Sequence, residues 1–297
     1  MRFSTSFPPA HLRMKKTPAF DPPKDRCQMC GSKQVALFVT DYKGIRIFRC
    51  AECGIQFMNP QYTDAHLTEY YSHFTFEEPE WDEPLLYCHD FYLSLVERYQ
   101  PQRGRILDVG TGKGHLLMAA QRRGWNPTGY DVDCESEQPI SEKIGMEILC
   151  GDFFRLELKP ESFDTVYMHQ VIEHIKSPVP YFEKVHSILK QNGVLFIAQP
   201  NIHSGSALFK FFMERIGVRK KNIAAYYGTE GHLWYYTVLS MKNTLRRFGF
   251  EPLYIRSCHK VRAHQSKLKR WFLRSVVEVL PWKSAFLVIA RKIEHHP

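Results

Sequence analysis

The stretch Arg105-Ile-Leu-Asp-Val-Gly-Thr-Gly-Lys-Gly-His115 restricts this chain to few folds. Ile106 to Val109 is short and apolar apart from Asp108, the pattern of a strand buried in a parallel sheet. Gly110, Gly112 and Gly114 then make a turn that only residues tolerating positive φ and close backbone approach can make. Leu116, Leu117, Ala119 and Ala120 continue as a helix, closed by Gly124. Strand, glycine turn and helix form a binding corner for a nucleotide-like ligand, with the amides of the helix start facing it.

The spacing narrows the ligand. A dinucleotide fingerprint reads G-x-G-x-x-G, and here the third glycine comes one residue early. Asp108 at the mouth of the loop would repel a pyrophosphate and attract the ammonium of an amino-acid moiety. Asp131 closes a second strand, Trp125 to Tyr130, where a carboxylate can accept both ribose hydroxyls. An adenosyl group with a cationic amino-acid tail suits both acids, and S-adenosylmethionine is such a ligand. The stretch resembles the class I S-adenosylmethionine-dependent methyltransferases, whose signature Asp-x-Gly-x-Gly-x-Gly stands here as Asp108 to Gly114. That resemblance implies a cofactor loop of Gly110, Thr111, Gly112 and Gly114 between Asp108 and Asp131. It further implies that Asp152 accepts from the adenine amino group and that Phe153 packs on the ring. His169, at the end of the fourth strand, is assigned to the same cofactor site.

Ahead of this region stand Cys27-Gln-Met-Cys30-Gly and Cys50-Ala-Glu-Cys53-Gly. Their separation falls in the window for a four-thiolate zinc site, and a glycine after each second cysteine lets backbone amides turn toward sulfur. Val35 to Thr40 and Ile45 to Arg49 read as a hairpin between the two knuckles, which makes a zinc ribbon with a structural metal. Cys88, Cys134, Cys150 and Cys258 show no pairing pattern and read as buried thiols.

Strands alternate with helices through the rest of the chain: Met146 to Leu149, Phe163 to Met168, a helix from Pro178 to Asn192-Gly193, then Val194 to Ala198. Val238 to Phe248 is a helix, and Phe250 to Ser257 and Ser284 to Arg291 are closing strands. The expected fold is α/β: a doubly wound, mostly parallel seven-stranded sheet of class I methyltransferase type, with a small N-terminal β zinc ribbon. The expected domains are a mobile basic leader at 1–26, the ribbon at 27–60, a helical cap at 61–104 and the cofactor-binding domain at 105–297, with inserts at 202–236 and 258–283.

The resemblance implies methyl transfer, and an oxygen nucleophile would need a base to take its proton. The candidates are His174, in Gln170-Val-Ile-Glu173-His174, and His232. Related Glu/Glu/His sets in some family members bind a divalent ion; here Gln170 stands at the place of the first Glu. Exocyclic base amines are served by an Asn/Asp-Pro-Pro-aromatic turn after the fourth strand, and this chain has Met168-His-Gln-Val171. The reading is O-methylation of a small-molecule, glycan or lipid-linked acceptor. The alternative is an RNA-directed enzyme using the ribbon and the basic ends to hold RNA.

Charge bears on that choice. The net charge of +9 resides at the two ends: residues 1–26 carry six Lys/Arg and two Asp, and residues 256–297 carry ten Lys/Arg and two Glu. A uniformly basic nucleic-acid enzyme is excluded, and nucleic acid ranks below a small acceptor. No apolar run approaches the roughly 18–20 residues of a membrane span, and no secretory apolar stretch is visible. The expectation is a cytoplasmic protein, with peripheral contact to the inner membrane surface through residues 266–280, where four Lys/Arg adjoin an aromatic-aliphatic face.

Overall fold

The computed structural model describes residues 18–41, 43–72, 83–205, 208–209, 212–213, 216, 227–229, 231–258 and 283–294. The expected features at 1–17, 74–82, 219–221 and 266–280 lie outside them.

The main sheet is built from β4 (Arg105–Val109), β5 (Asn126–Asp131), β6 (Ile148–Cys150), β7 (Phe163–His169), β8 (Leu189–Pro200), β10 (Phe250–Cys258) and β11 (Ala285–Lys292). Its order is β10-β11-β8-β7-β4-β5-β6. All neighbours are parallel except β11, which runs antiparallel to both β8 and β10. From β4 the chain winds outward through β5 to β6, then returns to lay β7 on the other side of β4. The winding therefore reverses between β4 and β7, and in open α/β sheets ligands bind at the carboxyl ends beside such a reversal. The seven-stranded, mostly parallel expectation holds.

Helices α1 (Asp64–Ser72), α2 (Glu83–Val96), α3 (His115–Arg122), α4 (Cys134–Ile144), α5 (Pro178–Ile188) and α6 (Val238–Arg247) accompany the sheet. Pro178 supplies a preset φ at the start of α5, and Thr237 caps α6 by accepting from the Ser240 amide while Ser240 answers in kind. A tight ion cluster joins α2 to α3. Arg123 donates to both oxygens of Glu97 (2.9 and 2.6 Å), and the Trp125 indole adds a third bond at 3.1 Å. Burial alone would raise the Glu97 carboxyl, but Arg123, Arg103 and Trp125 pull it down to about 2. This cluster ties the C-terminal ends of α2 and α3 together beside the amino ends of β4 and β5.

One boundary differs from the expectation. The helix from Pro178 ends at Ile188, and β8 begins at once with Leu189 opposite Phe163. Leu189 is extended (φ −71°, ψ 136°), and Asn192 takes the left-handed turn (φ 62°) inside the strand. Asn tolerates that region, so the Asn-Gly pair bends the strand rather than closing a helix.

The ribbon sheet has four strands in the order β1 (Val35–Thr40), β2 (Arg46–Cys50), β3 (Gln56–Met58) and β9 (Trp234–Tyr235). Its last strand comes from the far part of the chain: Gln56 pairs with Tyr235 and Phe57 with Trp234. Phe57 and Trp234 lie with ring centroids 5.5 Å apart, and the Trp234 indole donates to the Ile175 carbonyl at 2.8 Å. Ribbon residues such as Ile47 and Phe57 accordingly share one apolar core with Leu107, Val109 and Met168 of the main sheet.

Candidate active site

Gly110 must be glycine for two reasons. Its φ is 77°, and a Cβ there would lie 2.5 Å from the Val171 side chain. That close approach presses the chain leaving β7 against the glycine turn, two residues before the Glu173-His174 pair. The amides of the first three turn residues are directed inward. Gly110 and Thr111 donate to the Tyr130 carbonyl (2.8 and 3.0 Å), and Gly112 donates to Asp131 Oδ2 at 3.1 Å. Carbonyl and carboxylate groups at the end of β5 outcompete an open anion nest. The result locks the two acids in register.

Asp108 lies 4% exposed and accepts from Thr111 Oγ1 at 2.8 Å. Burial pushes its carboxyl up to about 7; the Thr111 bond lowers it and the Asp131 charge raises it further. Burial likewise raises Asp131, against the pull of the Gly112 and Val132 amides. Two acids pushed upward in one buried corner are what an added cation relieves, so an ammonium-bearing ligand suits this chemistry. Asp131 Oδ2 accepts the Gly112 amide and Oδ1 the Val132 amide, and a carboxylate has further lone pairs to offer a ribose hydroxyl.

Asp152 Oδ1 accepts from the Phe154 amide at 2.9 Å, and Arg155 lies 3.4 Å from its other oxygen. Phe153 is buried: it stacks on Tyr181 (4.8 Å, 13°) and meets Tyr130 at 4.8 Å. Its ring thus packs in the core, while Phe154 is the aromatic left exposed beside Asp152. Cys134 and Cys150 are not separate thiols. They form a disulfide that joins the start of α4 to the end of β6. The pairing escapes a search for spaced motifs because the sheet, not the spacing, brings Asp131 opposite Cys150.

The two catalytic candidates come together. His174 and His232, far apart in sequence, meet with ring centroids 4.8 Å apart and an interplanar angle of 74°. His174 Nδ1 lies 2.9 Å from the Gly231 carbonyl and 3.0 Å from the Tyr71 hydroxyl. A carbonyl can only accept, which assigns the proton to Nδ1 and makes Nε2 the basic nitrogen of the neutral ring. His232 Nδ1 faces the Tyr227 carbonyl at 3.2 Å, which assigns the same tautomer. Buried Glu173 stands 3.9 Å from His174 Nε2. Glu173, His174 and His232 each offer one ligand atom within 4.8 Å of the others, a set that could hold a divalent ion.

His169 sits at the end of β7 in a second imidazole group, 5.1 Å from His89 and 5.8 Å from Tyr92 by ring centroids. His89, on α2, meets the Tyr167 hydroxyl at 3.0 Å, and burial with His169 and His115 nearby keeps its ring neutral. Sequence reasoning missed His89 and Tyr71 because nothing local distinguishes a buried His or Tyr on a helix from ordinary core.

At the ribbon, Cys27 Sγ lies 3.7 Å from Cys53 Sγ, and Cys30 Sγ lies 3.6 Å from Cys50 Sγ. A tetrahedron with metal–sulfur bonds of about 2.3 Å places sulfurs about 3.8 Å apart. The four residues therefore fit zinc. Gly31 (φ 78°) and Gly54 (φ 75°) follow the second cysteine of each knuckle, as expected.

Comparison with known proteins comes in at this point. A family model described as "Methyltransferase domain" matches residues 80–255. A ubiquinone biosynthesis O-methyltransferase of Paracidovorax citrulli is 28% identical over 135 residues, 41% of this chain and 56% of that protein. One from Dinoroseobacter shibae is 28% identical over 158 residues, covering 50% and 60%. The chain thus spans little more than half the length of these relatives. The crystal structure of an S-adenosylmethionine-dependent methyltransferase from Mesorhizobium loti superposes with a TM-score of 0.50 at 17% identity, over 67% of this chain and 96% of that one. That likeness speaks to the fold.

Proposed function

The chain belongs to the methyltransferase-domain family, and from that premise we propose that it moves the methyl group of S-adenosylmethionine to a hydroxyl of a small-molecule, glycan or lipid-linked acceptor. The observation that carries the reading is the pairing of buried Asp108 with half-buried Asp131 across the glycine turn, two acids raised by desolvation and suited to a cation. When bound, S-adenosylmethionine supplies a methyl carbon activated by its sulfonium. In this reading Asp108 holds the ammonium, Asp131 the ribose hydroxyls and Asp152 the adenine amine, with Gly110, Thr111, Gly112, Gly114 and His169 shaping the pocket, while Phe153 supports it from the core.

His174 Nε2 takes the acceptor's proton, and Glu173 stabilises the imidazolium that results. Tyr71 and the Gly231 carbonyl hold the imidazole in the tautomer that this requires. His232 supports the same base from its buried place. The relatives' names favour a small molecule over RNA, and an apolar acceptor would bring the protein peripherally to a lipid surface. Cys27, Cys30, Cys50 and Cys53 hold a structural zinc that contributes folding energy to the ribbon.

The test is transfer of labelled methyl from S-adenosylmethionine into fractionated cell extract. Label is expected in a low-molecular-weight or lipid fraction, as an alkali-stable ether. Label recovered only in RNA would replace this reading with the alternative, and no label in any fraction would contradict it.

A further inference from the structure

The second carboxylate oxygen of Asp41 reaches out of the ribbon that carries it. Asp41 stands in the turn between β1 and β2, where its amide donates to the Ile45 carbonyl at 2.8 Å. Its Oδ1 accepts from the Lys43 and Ile45 amides, both at 2.8 Å. One acceptor oxygen is all that such a turn requires, and an Asn would serve it as well. The other oxygen, Oδ2, accepts from the Thr229 hydroxyl at 2.6 Å, across 188 residues of sequence. Both residues are buried, Asp41 at 9% and Thr229 at 4% exposed. A hydroxyl bonded to a carboxylate is held about twice as strongly as one bonded to a neutral acceptor.

Thr229 belongs to the turn that presents the Gly231 carbonyl to His174. The Gly231 and His232 amides both donate to the Gly228 carbonyl, at 3.2 and 3.1 Å. Gly228 takes φ 60°, and a Cβ there would lie 3.0 Å from His232 Nδ1. A Cβ on Gly231 would lie 3.1 Å from the Tyr70 hydroxyl and 3.4 Å from His174 Cε1. The turn therefore packs closely against both imidazoles, and a small shift of its backbone is felt by them. Thr229 is held from two sides: its hydroxyl donates to Asp41, and its carbonyl accepts from the Tyr62 hydroxyl at 2.8 Å. Two residues on, the Gly231 carbonyl accepts from His174 Nδ1 at 2.9 Å.

We propose that Asp41 and Thr229 are positioning residues for His174: through this one bond the ribbon places the Gly231 carbonyl so that it keeps the proton on Nδ1 and the lone pair on Nε2. The proposal rests on the reading of His174 as the base, because only then does the tautomer bear on the rate. It gives the ribbon a part in methyl transfer besides its own folding.

Thr229→Val removes the hydroxyl and keeps the shape of the side chain, and Thr229→Ser keeps the donor. The His174 tautomer is read in the full chain, without cofactor or acceptor, by proton–nitrogen correlation NMR of isotopically labelled histidine. The His174 signals are those lost in His174→Ala. The ratio of the Nδ1–H to the Nε2–H form should fall about fivefold in Thr229→Val and stay at the wild-type value in Thr229→Ser. In methyl transfer, kcat of Thr229→Val should fall about fivefold, since a displaced carbonyl also stabilises the imidazolium less. The KM for S-adenosylmethionine should not change, and Thr229→Ser should keep the wild-type kcat. Zinc content and thermal unfolding show whether each variant is folded. Asp41→Asn, which keeps the acceptor for the turn and gives up the charge, is the second variant and should shift the ratio in the same direction. An unchanged ratio in both folded variants overturns the proposal, as does a shift that Thr229→Ser shares. A shifted ratio with unchanged kcat would bear out the positioning and contradict instead the reading of His174 as the base.

Discussion

Burial holds the proton of Asp108 up to about 7, whereas in the unfolded chain the acid ionises near its ordinary 3.8. The folded, cofactor-free protein therefore binds more protons between these values, and its stability falls as pH rises through that window. Asp108→Asn removes the dependence. The variant's denaturation midpoint should exceed that of the wild type on the alkaline side of the window and not on its acid side. The same variant should lose cofactor affinity, because the ammonium no longer meets a carboxylate. In the wild type, affinity should fall as the solution is acidified below about 7. His174→Ala addresses the other half of the site. It should lower methyl transfer by about 10²–10⁴-fold while leaving S-adenosylmethionine affinity unchanged, a split that calorimetry and label transfer read separately. At this scale the sequence was legible where a residue's role follows from its neighbours, as for Asp108 and Gly110. It was not legible for Tyr71, whose part depends on a hydroxyl meeting an imidazole 103 residues away.

Elements join at two places that no periodicity announces. β9 is two residues long, too short to show alternation, yet it pairs with β3 and completes the ribbon sheet. The start of β9 and the residue before it tie back to the site: the Leu233 and Trp234 amides both donate to the Glu173 carbonyl, at 2.8 and 3.2 Å. Elemental analysis of protein purified without chelator should find one zinc per chain. Chelation should unfold the ribbon and, through β3 and β9, speed hydrogen exchange at Leu233 and Trp234; unchanged exchange there would show that the ribbon and the site are uncoupled. The second junction is the Cys134–Cys150 disulfide, which closes a loop of 16 residues between the Asp131 and Asp152 segments. Removing it with Cys134→Ser and Cys150→Ser should cost about 2–4 kcal/mol, read from the denaturant midpoint with zinc content held equal. Helices and strands with long apolar runs were legible in the chain; α5 ran short only because Asn192 could turn within β8.

Over the whole molecule, the glycine turn, the alternation of strands and helices and the late closing pair foretold a sheet whose observed order reverses between β4 and β7. That reversal places Asp108, Asp131, Asp152 and His169 at one edge of the sheet, and Val171 packs against Gly110 there. The sequence left open that His174 and His232 would meet, since only the completed fold brings their segments together. Among the described residues no helix is long and apolar enough to cross a membrane. All of these readings depend on the ligand assigned to Asp108 and Asp131. Calorimetric titration of the purified chain with S-adenosylmethionine, beside Asp131→Ala, tests that most directly. The account predicts one saturable site per chain, weakened by about 1–3 kcal/mol in the variant through loss of charge-assisted hydrogen bonds. No binding by the folded wild type, or equal affinity in the variant, would contradict it.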